Sequence, residues 1–181
     1  SKGCSESYLT FEDNGDTSRQ KNGTAYTYTN ASAPADHSCH IFHAGGGKVA
    51  PRLLDTTGTI DAALIGATDL APTSYLITAT RVTGNGGEAG AAGTDLLLWV
   101  GRVTAEECVI LNDKLGVTNP SGNPPVDSDA WDCTAAFDGT FSACANPIGD
   151  GATEVQGKKS FCIGSDNSGA NYHLMTVLLS R

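Results

Sequence analysis

Three features of this sequence predict an α+β fold, mainly antiparallel β-sheet with one short capped helix, stapled by disulfides. Runs of β-branched, aromatic and leucine residues are separated by polar connections rich in the chain's 22 glycines, a pattern of strands rather than of a helical bundle. A single segment, 104–115, carries a helix start, an apolar face and a helix stop. Six cysteines, an even number, are dispersed along the chain with no CxxC pair, which suits an oxidising compartment and not a zinc ribbon or a thioredoxin-like site.

Taken in chain order, residues 1–50 are polar and their strand signals are short. Tyr8-Leu9-Thr10-Phe11 is one, and Ala25-Tyr26-Thr27-Tyr28-Thr29 alternates with the period of two of a half-buried strand. Asn30 to Asp36 is a loop by its Asn, Ser and Pro content, and Cys39-His40-Ile41-Phe42 is a third short strand, closed by Gly45-Gly46-Gly47. A weaker helix signal covers Ile60 to Ile65. The strongest strands are Tyr75 to Val82 and Leu96 to Val100. The Gly-rich loop between them, Gly84 to Gly93, predicts an antiparallel pair without a tight hairpin.

In the helix, Thr104 and Glu107 have capping-box spacing: the hydroxyl accepts from a free N–H of the first turn and the carboxylate reaches back. Val103 and Cys108 occupy the hydrophobic-staple positions, Cys108, Leu111 and Leu115 fall on one face, and Gly116 is the left-handed terminator. Asn119 to Pro125 cannot continue a helix. Trp131 to Phe141 predicts a hairpin around Asp138-Gly139, and Ser160 to Ile163 and Tyr172 to Leu179 are the last strands. No repeat and no linker divides residues 1–181, which read as one globular domain.

The formal net charge is −9 and the isoelectric point about 4.7, with Lys158-Lys159 the only adjacent basic pair. Such a surface repels phosphate, so no nucleic-acid partner and no attraction to anionic lipid are expected. All six cysteines, Cys4, Cys39, Cys108, Cys133, Cys144 and Cys162, are assigned to disulfides with the pairing left open.

His37, Cys39, His40 and His43 crowd ligand types that zinc accepts into one segment. In an extended segment, however, His37 and Cys39 face one way and His40 the other, so no metal site is assigned there. Asp127-Ser128-Asp129, Asp138-Gly139-Thr140 and Asp166-Asn167-Ser168 present loop oxygens suited to a hard cation. None has the EF-hand spacing, and ordinary turn chemistry accounts for such clusters equally well. Asp127, Asp129 and Asp138 are the calcium candidates, and no other cofactor is expected.

No GxSxG elbow, HExxH helix, P-loop or glycine-rich dinucleotide motif is present, so no catalytic residue is assigned and no enzyme is expected. His173 lies in an apolar strand as a core or edge histidine. Tyr26, Tyr28, Trp99 and Trp131 are aromatics able to stack on sugar faces, with core packing the stronger competing use. Asn22-Gly23-Thr24 and Asn30-Ala31-Ser32 match the N-glycosylation acceptor pattern.

The segment from Val103-Thr104-Ala105-Glu106-Glu107-Cys108 through Leu111-Asn112 to Leu115-Gly116-Val117 resembles the Cys-containing helix in the heads of bacterial type IV pilin-like proteins. Asn30 to Phe42, with Gly45-Gly46-Gly47, is similar to a segment of minor pilins and pseudopilins; together the two cover about a sixth of the 181 residues. The resemblance implies an α+β head with an antiparallel sheet and disulfide-closed loops, carried on a hydrophobic N-terminal helix. It implies an extracytoplasmic subunit (cell surface, periplasm or secreted) acting through contacts with other pilin-like subunits or a surface ligand. It brings no catalytic residue. The longest apolar stretches here are about one strand long, too short to span a membrane, so that helix is expected upstream of Ser1 and any membrane contact only through it. The alternative from another class is a secreted carbohydrate-binding or adhesin module, calcium-assisted.

Overall fold

In the computed structural model, residues 3–10, 20–21, 24–25, 30–41, 45–48, 75–86, 93–128, 137–141, 146–164 and 172–181 are described. Within them β1 (Gln20–Lys21) and β2 (Thr24–Ala25) pair antiparallel. The main sheet holds β3 (Tyr75–Thr80), β4 (Asp95–Val103), β5 (Ser160–Gly164) and β6 (Tyr172–Leu179), all antiparallel, in the order β3-β4-β6-β5. Helix α1 (Ala105–Leu115) follows β4 directly. The architecture is thus the expected α+β class: among the described residues, one capped helix, an antiparallel sheet and disulfide staples.

Composition explains the strands. β3 and β4 are rich in Leu, Ile, Thr and aromatic residues and pair from Tyr75↔Val100 to Thr80↔Asp95, as the Gly-rich connection predicts. The last strand, β6, is inserted between β4 and β5, so the sheet closes only when the end of the chain arrives. Side chains alternate faces along a strand. On one face Leu97, Trp99, Phe161, Ile163, His173, Met175 and Val177 are all buried. They pack with Val82, Val117, Phe137, Ile148 and Val155 from the connecting segments to make the core.

The helix forms where its local signals lie. Thr104 is the N-cap: its Oγ1 accepts from the Glu107 backbone N–H at 3.2 Å, and Glu107 Oε2 accepts from the Thr104 N–H at 2.8 Å. Gly116 ends it with φ 69°, a left-handed conformation that costs glycine nothing. Val103 packs beside buried Cys108, as a staple should.

Several expectations need correction. Leu115 is 38% exposed, and Asn112, not Leu115, joins Cys108 on the buried side of α1. The helix rests on β5 through its middle turn, so the last turn overhangs into solvent. Of Tyr8-Leu9-Thr10-Phe11 the described residues 8–10 form no strand: Glu6–Tyr8 is a 3₁₀ turn, and Thr10 makes a parallel bridge to His40; Phe11 lies outside the described residues. Of Cys39-His40-Ile41-Phe42, residues 39–41 are likewise a turn carrying that bridge, and Phe42 lies outside the described residues. The reason is that carbonyls a neighbouring strand would need are taken by a side chain. Asn30 Nδ2 donates to Ser7 O at 2.7 Å and Leu9 O at 2.8 Å. Of the alternating run 25–29 only Ala25 is described, in β2; Ile60 to Ile65 and Trp131 lie outside the described residues.

Candidate assembly surface

The second face of the main sheet is covered unevenly: Ile77 on β3 is buried there, and Leu98, its partner on β4, packs against the core. Opposite the buried face, β4 presents Leu98 and Val100, and β6 presents Leu174, Thr176 and Leu178. These are half-buried, and Leu178 is 48% exposed, on the two central strands of the sheet. An apolar strip here is unusual, because central strands carry the most apolar surface and have the most to gain from cover. Near the β5 edge the same face is closed by α1, held there by the Cys108–Cys162 disulfide and packed through Val103, Ala105, Leu111 and Tyr172. The strip therefore runs beside a helix already seated on the sheet.

How α1 is seated shows why the sequence folds this way. β5 is an edge strand whose outward N–H and C=O groups would otherwise invite another chain. Asn112 answers both groups of Cys162: Nδ2 donates to its carbonyl at 2.9 Å, and Oδ1 accepts from its N–H at 2.8 Å. Asn119 steadies Asn112 from below, its Oδ1 accepting from Nδ2 at 3.0 Å. Further along the edge, Gly164 N–H donates to Pro125 O and Asp127 N–H to Gly164 O. The edge is thus covered by a helix side chain and a loop, with the disulfide crossing between them.

The cysteines expected in disulfides are found so where described: Cys4 pairs with Cys39 and Cys108 with Cys162. Cys133 and Cys144 lie outside the described residues. Of the calcium candidates, Asp127 is buried and its Oδ2 accepts from Gly149 N–H at 2.7 Å, pinning the 149–151 turn. Asp138 is exposed and its Oδ1 accepts from Thr140 N–H at 2.8 Å in an Asx turn; Asp129 is outside the described residues. Among the described residues no group of three or more His, Cys, Asp or Glu is placed to hold a metal ion.

Asp95 is another buried carboxyl, accepting from Val82 N–H at 3.1 Å and Arg181 N–H at 3.2 Å. Burial raises its pKa above the usual carboxylate value, against the lowering effect of those two donors.

Two readings change on geometry. The glycosylation pattern at Asn30 is occupied: Nδ2 makes the two bonds above, Oδ1 accepts from Ser32 N–H at 2.9 Å, and Gly139 closes against the amide. Trp99 is buried and stacked on His173 at 4.8 Å, so it serves the core rather than a sugar face; Tyr26, Tyr28 and Trp131 are outside the described residues.

The histidine segment is not extended, and the expectation that His40 faces away from His37 fails. His37 adopts φ 58°, and backbone bonds His37 N–H to Pro34 O and His40 N–H to His37 O wind the segment into successive turns. His37 Nδ1 and His40 Nε2 meet at 3.4 Å. The Cys39 expectation stands, since its sulfur is in the disulfide. Asn112 had no sequence signal beyond its place on the helix face, because its partner lies 50 residues away.

The chain matches no family model, no curated protein and no solved structure.

Proposed function

We propose that this chain is the extracytoplasmic head of a pilin-like or pseudopilin-like filament subunit, non-enzymatic and acting through protein–protein contacts. The observation that carries the reading is the half-covered apolar strip of Val100, Leu174 and Leu178 on the central strands, beside the docked helix α1. A strip of this kind suits the flank of an apolar helix, the spine on which such heads are carried. Two formed disulfides support an oxidising compartment. No helix among the described residues is long and apolar enough to cross a membrane, and the reading requires such a spine elsewhere in the full-length protein.

The coding sequence should continue upstream of Ser1 into an apolar run of about 20 residues behind a short basic leader. Expressed with that run, the subunit should enter filaments, and Leu174→Lys with Leu178→Lys should abolish entry while leaving the isolated head folded. The isolated head, at net charge −9, should be monomeric by light scattering. An ordinary cleavable signal peptide directly before Ser1, with no retained apolar helix, overturns the reading and promotes the secreted binding module.

A further inference from the structure

The turn 34–41 brings two imidazoles together and then holds them. His40 is buried, anchored by the parallel bridge to Thr10 and by its neighbour Cys39, which is cross-linked to Cys4. His37 is half-exposed and sits in the left-handed region, which few non-glycine residues occupy, histidine more readily than most. The turn is buttressed from behind: Gly47 N–H donates to His40 O at 2.8 Å, and Gly46 lies so close to the carbonyls of His37 and His40 that a Cβ there would collide with both. Strain retained at a rigid position is a cue to ask what the position does.

We propose that His37 and His40 form a two-histidine chelate for a borderline divalent cation, zinc(II) first, with solvent completing the coordination shell. The spacing is the first argument. Two ring nitrogens each about 2.0–2.1 Å from a tetrahedral zinc lie about 3.3–3.4 Å apart. Nδ1 of His37 and Nε2 of His40 are 3.4 Å apart.

The ring geometry adds a detail. The centroids are 4.5 Å apart with the planes at 86°, closer than the roughly 5.2 Å of two imidazoles radiating from one ion, so the half-exposed His37 ring swings outward as metal enters. In the metal-free protein the two nitrogens share one hydrogen bond, and the ion takes the place of that proton. Nitrogen donors select zinc, copper(II) or nickel(II) over calcium and magnesium, and the chain's charge of −9 favours any cation. Cys39 does not take part, being oxidised.

The test uses the 181-residue protein as it is, stripped with chelator, and does not depend on the filament reading. Zinc chloride titrated by calorimetry should show saturable one-to-one binding and raise Tm, while calcium should do neither. His37→Asn is the informative variant, since asparagine tolerates the left-handed backbone but cannot replace the ring. Loss of an outer-shell partner alone commonly weakens metal affinity about 10–100-fold, so loss of one of two ligands should weaken it by at least about tenfold. Should His37→Asn not fold, His40→Gln measured against the wild-type protein serves the same purpose. No saturable binding up to about 1 mM zinc, the weak end of specific association, overturns the proposal. So does binding by His37→Asn at the wild-type affinity, which would place any zinc elsewhere on the chain.

Discussion

Two disulfides fasten two very different regions, and their contrast shows what holds this protein together. Cys108–Cys162 spans 54 residues and joins a capped helix to an edge strand, with both cysteines fully buried amid hydrogen bonds and apolar contacts. Cys4–Cys39 spans 35 residues and joins the stretch just before a 3₁₀ turn to a run of turns, where the described strand pairing is the single Thr10–His40 bridge. Loop-closure entropy barely distinguishes them, at about 4 kcal/mol for either separation. The difference lies in the folded state. The first cross-link sits in a unit that its neighbours already hold; the second supplies much of the order in its own region.

The largest effect should come from breaking the first. Cys108→Ser with Cys162→Ser should cost about 4 kcal/mol in chemical denaturation, at the upper part of the range for native disulfides, because two hydroxyls also enter a fully buried site. A loss below about 1 kcal/mol would mean that the helix is seated by side-chain contacts alone.

Asn112→Ala should follow, at about 3 kcal/mol. It strips partners from a buried N–H and a buried C=O of Cys162, each worth roughly 1–3 kcal/mol when left unsatisfied. Asn112→Asp separates the two bonds: a carboxylate still accepts from the N–H but cannot donate to the carbonyl. The buried carboxylate also faces the Cys162 carbonyl and Asn119 Oδ1, so Asn112→Asp should lose at least as much as Asn112→Ala; a smaller loss would show that the bond to the Cys162 N–H dominates.

What was legible in the sequence follows the same division. The cap at Thr104, the staple at Val103 and Cys108 and the stop at Gly116 are all read over a few residues, and all are present. β3, β4, β5 and β6 announce themselves by composition. The insertion of β6 between β4 and β5, and the grip of Asn112 on Cys162, depend on partners far away in sequence and leave no local trace. In the amino-terminal region, short apolar runs suggested strands at Tyr8 and Cys39. There Asn30 captures the carbonyls of Ser7 and Leu9, and His37 turns left-handed without being glycine. Those same choices bring His37 and His40 together: the ligand types were legible in the sequence, but the turn that joins them was not.

Cys4→Ser with Cys39→Ser should cost less than the buried pair, about 2 kcal/mol, despite the similar loop entropy. Once released, residues 3–10 gain freedom in the folded state too, which offsets part of the freedom gained on unfolding. Hydrogen exchange should locate the loss: the amides of Thr10 and Ile41, which bond across this region, should lose protection while those of β4 and β6 keep theirs. A global cost matching that of the 108–162 pair, with protection lost throughout the sheet, would make the amino-terminal region part of the same cooperative unit.

The smallest effect tests the helix by itself. Thr104→Ala should cost about 1 kcal/mol, because the Glu107 N–H loses its acceptor at the exposed start of α1. Glu107→Ala should also destabilise, since its carboxylate accepts from both the N–H and the hydroxyl of Thr104, at 2.8 and 2.9 Å. The two residues make one reciprocal unit, so the double variant should lose less than the sum of the singles. Their neighbour Cys108 is one turn away and already tethered, so a cross-link can mask a weakened cap by keeping the first turn in place. The cap should therefore matter more when the disulfide is absent: in the Cys108→Ser, Cys162→Ser background, Thr104→Ala should lose more stability than it does in the native protein. Equal losses in the two backgrounds would mean that the helix start and the disulfide act independently, and that α1 is held at Asn112 and Cys108 whatever its first turn does.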